Sequence, residues 1–524
     1  MQMPKTPDLH WLKRFVANLS DRRAFILSFV FGFVIRLIPE LLSYPHPIGF
    51  DTVYYSARIR SGVVWSSWKG IFSMWLFEGI LVSVNKAAQM DPVLLLKLSA
   101  PLLYGLNVCG IYHFSRKSLN WSVKTALMGA FFFVFQLASL RMSWDLYRNL
   151  LGSGILLFTL PLVTRVGSKK NLVLLPILSL LLVLSHILVA GVLFAAVLAT
   201  LIGNWLSHKR VESLKLVTVV SPAFIVLFVS FFVFPPPSYT PGGLFFFVNY
   251  LSGSEAPQSY VSYLELASHV FSLFSLLYLW WLPLVIVGFF RDRSLDVWTL
   301  LLLLGSFNGL IIPFFAVDIW SRWMFLLVYP FTFYAVNGLS KVLESQNKTI
   351  SLSTKYMKSM KISRKKALGI LSSAVVLGSL FMFTPPFYDR FGFFAIPTTT
   401  PYFPSSMLYN SLPLRDVDST IQVLKWLNEQ MNESSALLMH HAFFWWAKLY
   451  LDDDRVIISF VRDIDKALHT AKEQGHQVIY TVWWNEQLLT WQNETIGWYG
   501  FTLPSHFSVR FNVDRISAYQ YTSS

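Results

Sequence analysis

The sequence is poor in charge and almost without cysteine: 14% of its 524 residues are charged, and Cys109 is its only cysteine. A single cysteine excludes a scaffold held by internal disulfides. A soluble globular protein carries about 25% charged residues, and a disordered chain is polar and rich in charge, so both classes are disfavoured. Hydrophobic residues instead make up 54% of the chain, which includes 46 Phe, 19 Trp and 22 Tyr. This composition indicates a protein of the lipid bilayer.

Long apolar stretches in the first 385 residues predict about eleven membrane-spanning helices, since one span needs roughly 20 mostly apolar residues. One apolar run covers 171–206. A run of that length, at ~1.5 Å per residue, would overshoot a ~30 Å hydrocarbon core, so we divide it at Ser185 and His186. The predicted spans cover 24–42, 92–114, 123–140, 150–164, 171–185, 187–206, 215–234, 266–290, 296–316, 323–340 and 367–384.

Lysine and arginine residues predict the orientation, because they are enriched in cytoplasmic connections. One alternating set of connections holds 24 basic residues and the other holds seven. The basic set comprises 1–23, 115–124, 165–170, 207–215, 291–295 and 341–366. We therefore expect a multi-pass protein of the cell membrane with a cytoplasmic N-terminus and an extracytoplasmic C-terminal segment. The net charge of +15 is mainly a topology signal, and nucleic acid is not expected as a partner.

The composition changes near residue 386, where the chain becomes polar. Residues 385–415 are rich in proline and aromatic residues, which indicates a structured linker near the membrane surface. Strands that alternate with helices follow it, and this order is typical of a small α/β domain with a mainly parallel sheet. The predicted strands are 436–439, 456–460 and 478–482 with a hairpin over 508–521, and the predicted helices are 418–431, 443–450 and 463–473. The expected organisation is thus a helical membrane domain, 1–385, and an extracytoplasmic α/β domain, 386–524.

Two acidic residues lie in short loops on the predicted outer side, where ionisable groups often mark function. Asp51 follows a turn that contains Gly49 and comes directly after the first span. The structural alternative for Asp51 is a helix N-cap. Asp145 lies in the second outer loop, three residues before Arg148. An ion pair between these two residues is the structural alternative there.

Basic residues accompany them on the same side. His186 lies between two spans that end on the outer face, and Arg322 lies at the outer end of a late span. The planar guanidinium of arginine suits bidentate binding of phosphate. An i,i+4 pair between Asp318 and Arg322 is the structural alternative.

Three further charged residues fall inside predicted spans. Arg36 and Glu40 lie four residues apart in the first span and are expected to neutralise each other. Lys97 lies near the outer end of the second span. It joins the basic residues of the outer face or extends its amine to the membrane surface.

Carboxylates and cations on one face of a helical bundle suggest chemistry on a lipid-linked phosphate. The cations would hold a phosphate leaving group, and a carboxylate would accept the proton of an acceptor hydroxyl. Alternatively, Asp51 and Asp145 would hold a divalent metal, Mg²⁺ or Mn²⁺, through oxygen ligands.

The arrangement resembles the C-type (GT-C) superfamily of integral membrane glycosyltransferases. The resemblance consists of the acidic first loop 49–51, the second acidic loop 144–149, the late Arg322 and the C-terminal outer domain. Phe50 and Asp51, followed by two tyrosines and an arginine within 50–58, are similar to the first-loop motif of oligosaccharyltransferase catalytic subunits.

The resemblance implies an enzyme of inverting type that moves a sugar from a polyprenyl or dolichyl phosphate, or pyrophosphate, carrier in the membrane to a glycan, lipid or protein acceptor of the cell envelope. It implies a general base or metal ligand at Asp51 and a second acid or metal ligand at Asp145. The donor phosphate would be held by Arg322, with Arg148, His186 and Lys97 as helpers.

One motif of oligosaccharyltransferases, WWDYG, is missing. Its nearest matches, 444–448 and 483–486, lack the aspartate and the glycine. This favours transfer of a monosaccharide over protein glycosylation of the oligosaccharyltransferase type, which stays an alternative. A transporter or flippase of lipid-linked glycans is a further alternative, although the internal repeats typical of transporters are not visible. A non-catalytic membrane scaffold or receptor is the third.

Overall fold

The computed structural model is mostly helical and ends in a small sheet domain. It describes residues 19–65, 67–234, 262–290, 292–312, 319–344, 349–354, 357–385, 394, 396–461, 463–485, 490–491, 494–495 and 503–522.

Helices build the larger, N-terminal part of the molecule. Within the described residues they are α1 (Asp21–Leu42), α2 (Phe50–Ser61), α3 (Leu76–Ala88), α4 (Pro92–Lys117), α5 (Val123–Val134), α6 (Leu137–Asp145), α7 (Tyr147–Val163), α8 (Lys169–Ser185), α9 (Ile187–Leu206), α10 (Arg210–Phe228), α11 (Tyr263–Phe274), α12 (Leu282–Gly288), α13 (Arg293–Ile311), α14 (Trp320–Leu326), α15 (Val328–Glu344) and α16 (Arg364–Phe383). Short 3₁₀ or π turns cover Trp68–Phe72, Val229–Val233 and Ser275–Leu279. An antiparallel pair, β1 (Thr349–Thr354) and β2 (Met357–Ser363), lies between α15 and α16.

Local sequence fixes where many of these helices begin. Ser20, Asp91, Ser122 and Ser168 each accept a hydrogen bond from the backbone N–H three residues later. Such side chains satisfy one of the N–H groups that the first turn of a helix leaves without a partner. The central helix, α4, packs against α1, α5 and α7.

In the part of the chain that is described, six helices are long and apolar enough to cross a membrane, if α14 and α15 are counted together as one span. The number rises to eight if two bent pairs each count as one further span. The bent pairs are α5 with α6, at 63°, and α11 with α12, at 68°. The multi-pass character is therefore confirmed, whereas the predicted count of about eleven is not. The apolar helix α7 and the described part of α13, Leu295–Ile311, are shorter than these six. Apolar composition alone does not reveal where a helix ends, so the sequence overestimated the number of spans among the described residues.

The predicted division of the run 171–206 is confirmed. Helix α8 ends at Ser185 and α9 begins at Ile187, and His186 between them has an extended backbone with φ −161° and ψ 125°. The N-terminus of α9 and the C-terminus of α8 therefore meet at the His186 side chain.

The C-terminal region is the predicted small α/β domain. In its described residues the strands are β3 (Ser435–His440), β4 (Val456–Phe460), β5 (Val478–Trp484), β6 (Thr490–Trp491), β7 (Glu494–Thr495), β8 (Phe507–Val513) and β9 (Ile516–Tyr521), and the helices are α17 (Val417–Gln430), α18 (His441–Tyr450) and α19 (Ile464–Glu473). The main sheet has the order β4-β3-β5-β9-β8. Strand β3 is parallel to β4 and β5, whereas β9 is antiparallel to both β5 and β8, so the sheet is mixed rather than mainly parallel as predicted.

Both faces of this sheet are buried. Leu437 and Met439 of β3 pack with α17 and α18, whereas Ala436 and Leu438 of the same strand pack with α19. Alternate side chains of a strand point to opposite faces, so one short apolar run serves two cores. The domain boundary expected at 385/386 stays a prediction, because residues 386–393 lie outside the described residues.

A buried charge network joins the first helices of the bundle. Arg36 and Glu40 form the expected i,i+4 ion pair, at 2.8 Å, and the amine of Lys97 lies 2.9 Å from the second oxygen of Glu40. All three side chains are buried. Arg36 also donates to the backbone oxygen of Ser143 at 3.0 Å, which ties α1 to the last turn of α6.

We predict that Lys97→Met lowers the melting temperature, because it leaves Glu40 without one of its two cationic partners in a buried site. Breaking a buried ion pair costs about 3 kcal/mol. Lys86→Met is the matched control, since Lys86 is exposed on α3 and its loss should leave the melting temperature unchanged. Thermal unfolding of both purified variants in detergent measures the difference. Equal melting temperatures would contradict the structural role assigned to Lys97.

Candidate active site

Asp51 lies in the first turn of α2. The N-cap of that helix is Gly49, so Asp51 does not have the capping position proposed as its structural alternative. The Asp51 side chain is half-buried. Within the described residues its carboxylate makes no ion pair and no hydrogen bond, which leaves both oxygens available to a ligand.

Gly49 brings this first loop against the end of α6. Its φ is +95°, and a Cβ atom at this position would lie 2.4 Å from the Trp144 oxygen and 3.0 Å from the Cβ of Asp145. Only glycine tolerates both the backbone conformation and the close approach. The two acidic loops predicted from the sequence therefore touch each other at this glycine.

Asp145 is the last residue of α6 and is buried. Its Oδ1 lies 2.5 Å from a terminal nitrogen of Arg141, one turn earlier. The ion pair between Asp145 and Arg148, which was the structural alternative, is therefore not formed. The Arg141 guanidinium is further held between the rings of Trp144 and Phe325, at 5.0 and 5.3 Å from their centroids, so the pair is fixed in place.

Several of the charged side chains predicted from the sequence act on the pKa of Asp51. Burial raises the pKa from 3.8 to about 6, and the negative charge of Asp145 raises it further in the same direction. The positive charges of Arg322, Arg141 and Arg148 act against this shift. The structure thus brings together four of the residues predicted from separate parts of the sequence, together with Arg141.

His186 completes this group. It is buried at the junction of α8 and α9, close to the positive charges of Arg322 and Arg148. Within the described residues its Nδ1 has no hydrogen-bond partner. A neutral imidazole can donate a hydrogen bond from one ring nitrogen, so His186 can contribute to an anion site.

Arg322 belongs to α14 and its side chain is exposed. Among the residues described, no carboxylate lies within ion-pairing distance of it. The i,i+4 alternative with Asp318 cannot be compared, because Asp318 lies outside the described residues.

Lys97 does not belong to this group. Its amine contacts Glu40 at 2.9 Å, Ser43 Oγ at 2.8 Å and the His46 backbone oxygen at 2.7 Å. An ammonium group has three donors, and all three are used in this network. The expected help of Lys97 in binding phosphate is therefore not supported by its contacts.

Sequence reasoning missed Glu78. This buried carboxylate accepts from Arg58 Nε at 2.8 Å and from a terminal nitrogen of Arg148. The available signal was an acidic residue next to Leu76 and Phe77 in an otherwise apolar segment. Such a residue needs a buried partner, although the sequence does not say which one.

The divalent metal considered from the sequence stays a prediction. No group of three or more His, Cys, Asp or Glu side chains among them is arranged to hold an ion. One oxygen of Asp145 already accepts the Arg141 ion pair. A magnesium ion is commonly held by one or two carboxylates together with water and substrate phosphates, so Asp51 would be its main protein ligand here.

The segment that follows α16 fastens the two loops together. The Tyr409 oxygen accepts from the Gly49 N–H at 2.9 Å, and the Met407 oxygen accepts from Trp144 Nε1 at 3.0 Å. The Tyr402 oxygen accepts from Arg141 Nε at 2.7 Å. The structured linker expected from the sequence is therefore part of the site's support over 396–412.

Helix α2 also contacts the C-terminal domain. The ring of Tyr54 lies edge-on to Trp445 of α18, at 4.6 Å between centroids. Val53 and Ala57 join the hydrophobic core of that domain. The helix that carries Asp51 is thus held from the bundle on one side and from the α/β domain on the other.

No protein-family model matches the chain, and no curated protein matches it in sequence. Several solved structures are similar to it, and two of them cover most of this chain. ArnT from Cupriavidus metallidurans bound to undecaprenyl phosphate is 12% identical, with a TM-score of 0.49 over 99% of each chain. The Archaeoglobus fulgidus oligosaccharyltransferase in complex with Zn and sulfate is 11% identical, with a TM-score of 0.44 over 87% of this chain and 67% of that chain.

Both TM-scores lie below 0.5. The function is therefore inferred from the side chains of this chain.

We predict that Asp51→Asn makes the protein more stable at pH 8 but not at pH 4. The folded protein holds the Asp51 proton up to about pH 6, whereas the unfolded chain loses it near 3.8. The buried charge therefore lowers the stability of the wild type as pH rises through this window, by on the order of 1–3 kcal/mol.

Melting temperatures of wild type and variant across pH 4–8 measure this effect. Asp453→Asn is the control, because Asp453 is exposed in the C-terminal domain and should show no such trend. A difference between wild type and Asp51→Asn that does not change with pH would contradict the raised pKa.

Proposed function

We propose that this protein is a C-type membrane glycosyltransferase that moves a sugar from a polyprenyl-phosphate-linked donor to a hydroxyl of a glycan, lipid or protein acceptor. The observation that carries the proposal is the Asp51 carboxyl, which has no ion pair among the described residues and has a pKa of about 6 in the field of Arg148 and Arg322. A proton acceptor and a pair of cations are the two elements that this reaction requires.

Asp51 is proposed as the general base. With a pKa of about 6 it is mostly ionised at neutral pH, yet it is more basic than an ordinary aspartate. It would take the proton of the acceptor hydroxyl while that oxygen forms its bond to the anomeric carbon of the sugar. The bond between this carbon and the phosphate oxygen breaks in the same step, and the phosphate leaves with the electron pair.

Arg148 and Arg322 are proposed to bind the phosphate. Negative charge grows on the leaving oxygen, and charge-assisted hydrogen bonds from guanidinium groups stabilise it. His186, buried beside both arginines, would donate one further hydrogen bond. The lipid tail of the donor would extend from here into the membrane.

Asp145 is proposed to tune Asp51 rather than to react. Its carboxylate is engaged with Arg141, and its charge favours the protonated form of Asp51. Of the two carboxylates in the described site, Asp51 alone is free of an ion pair, which favours a single displacement. The configuration at the anomeric carbon would then be inverted.

The site is proposed to face the outside of the cell membrane, as the distribution of basic residues indicates. Glu433 of the C-terminal domain and Lys209 of the connection between α9 and α10 are both exposed. They lie on opposite sides of the membrane in this orientation, which makes them a matched pair of reporters.

We predict that a membrane-impermeant maleimide labels Glu433→Cys in intact cells, whereas Lys209→Cys reacts only after permeabilisation. The background is Cys109→Ala, which removes the only native cysteine. Labelling in the reverse order would overturn the proposed orientation.

We predict that Asp51→Asn lowers kcat/KM for transfer by about 10²–10⁴, the range that loss of a general base gives, while binding of a polyprenyl monophosphate is retained. Wild-type kcat/KM should rise with pH through about 6, the pKa of Asp51, because the base must be ionised. Transfer from a radiolabelled polyprenyl-phosphate sugar by the purified protein measures both.

Asp453→Asn serves as the control and should keep full activity. If the wild type transfers no sugar from any such donor, and Asp51→Asn behaves like the wild type in cells, a transporter or scaffold becomes the better assignment.

A further inference from the structure

A single buried carboxylate, Glu78, holds two arginines on different helices. One oxygen accepts from Arg58 Nε at 2.8 Å, and the other accepts from Arg148. The Glu78 side chain is 3% exposed, compared with 32% for Arg58 and 23% for Arg148. A carboxylate buried to this extent needs such partners, because burying an unpaired charge is costly.

The position of Glu78 on its helix adds to this arrangement. It lies in the first turn of α3, where the positive end of the helix dipole favours a negative side chain. Arg58 belongs to α2 and Arg148 to α7. Glu78 therefore fixes three helices relative to one another at the edge of the site.

The two arginines have different surroundings. Arg58 also donates to the backbone oxygen of Val64 at 3.1 Å and lies 5.7 Å from the ring centroid of Tyr54. Its charge is not among the largest influences on the pKa of Asp51. Its contacts thus hold the turn after α2.

Arg148 instead belongs to the site. Its charge reaches both Asp51 and His186, and its guanidinium lies 5.6 Å from the ring centroid of Tyr55. Within the described residues its Nε is buried and has no hydrogen-bond partner. Glu78 holds one nitrogen of this guanidinium, and hydrogen-bonding capacity remains for an anion.

Arg148 needs such a partner to stay where it is. It lies in the first turn of α7, where the helix dipole disfavours a positive side chain. Without Glu78, two guanidinium groups would also repel each other across the gap between α2 and α7. The carboxylate offsets both effects.

We propose that Glu78 is a positioning residue for the transfer reaction, which acts through Arg148 by holding its guanidinium beside Asp51 and His186 to receive the donor phosphate. This inference rests on the proposed function. Removal of Glu78 should therefore weaken phosphate binding only through its effect on Arg148. Once Arg148 is absent, removal of Glu78 should have little further effect.

Binding of a polyprenyl monophosphate to the purified full-length protein in detergent tests this directly, because it does not require turnover. We expect Glu78→Gln and Arg148→Met each to weaken binding by about tenfold or more. The affinity of the double variant should be at most about twofold below that of the single variant with the lower affinity. The two substitutions remove the same interaction, so their effects should not add.

Arg58→Met separates a positioning role from a merely structural one. It removes the other partner of Glu78 and leaves the contact with Arg148, so binding should stay within about twofold of the wild type. Glu429→Gln, at an exposed position of α17, is the matched control. If Glu78→Gln does not fold, Glu78→Asp replaces it, because the aspartate keeps the charge but has a shorter reach.

Additive losses in the double variant, or a loss with Arg58→Met as large as that with Glu78→Gln, would overturn the positioning role. A wild type that binds the phosphate while Glu78→Gln binds it equally well would do the same and would leave the proposed function intact. A wild type that binds polyprenyl monophosphate no better than the uncharged polyprenol would remove both.

Discussion

The contact between Gly49 and the end of α6 is the constraint on which the site depends. A side chain at position 49 would collide with the Trp144 oxygen and approach Asp145, so the first loop lies directly on the helix that carries the second carboxylate. Two hydrogen bonds stabilise this contact. Arg36 of α1 donates to the Ser143 backbone oxygen, and the Gly49 N–H donates to the Tyr409 backbone oxygen in the segment after α16. The carboxylates of two loops almost a hundred residues apart in sequence are thereby close enough to influence each other's charge.

The electrostatics of the site follow from that proximity. Two carboxylates held close together disfavour each other's charge. The two differ in whether a cationic side chain is paired with them. Asp145 has Arg141 as a fixed partner, whereas Asp51 has none among the described residues and its pKa rises to about 6. Glu78 performs the complementary task for the cations, because it keeps Arg148 in place beside a positive helix end. Among the described residues, this leaves Asp51, Arg148 and Arg322 for ligands, which is the combination that the proposed transfer reaction needs.

Sequence patterns were sufficient for the parts of this account that depend on local composition. The break at His186, the α/β domain, the pairing of Arg36 with Glu40 and the closeness of Asp51 to Asp145 were all expected. Choice of partner was not predictable, because it depends on which helices pack together. Arg148 pairs with Glu78, 70 residues away in sequence, rather than with Asp145, and the three donors of Lys97 are used within α1 and the loop after it. The number of spans was also not predictable, because bends within apolar runs leave no mark in composition.

We propose that Asp51, Arg148 and Arg322 together form one phosphate-binding site. An experimental structure of the protein with a polyprenyl monophosphate bound tests this most directly. The account predicts phosphate oxygens within about 3 Å of both guanidinium groups, the distance of a charge-assisted hydrogen bond, with the Asp51 carboxylate facing the same cavity. A phosphate bound elsewhere on the bundle, or Asp51 separated from it by more than about 15 Å, too far for a shared reaction site, would contradict it.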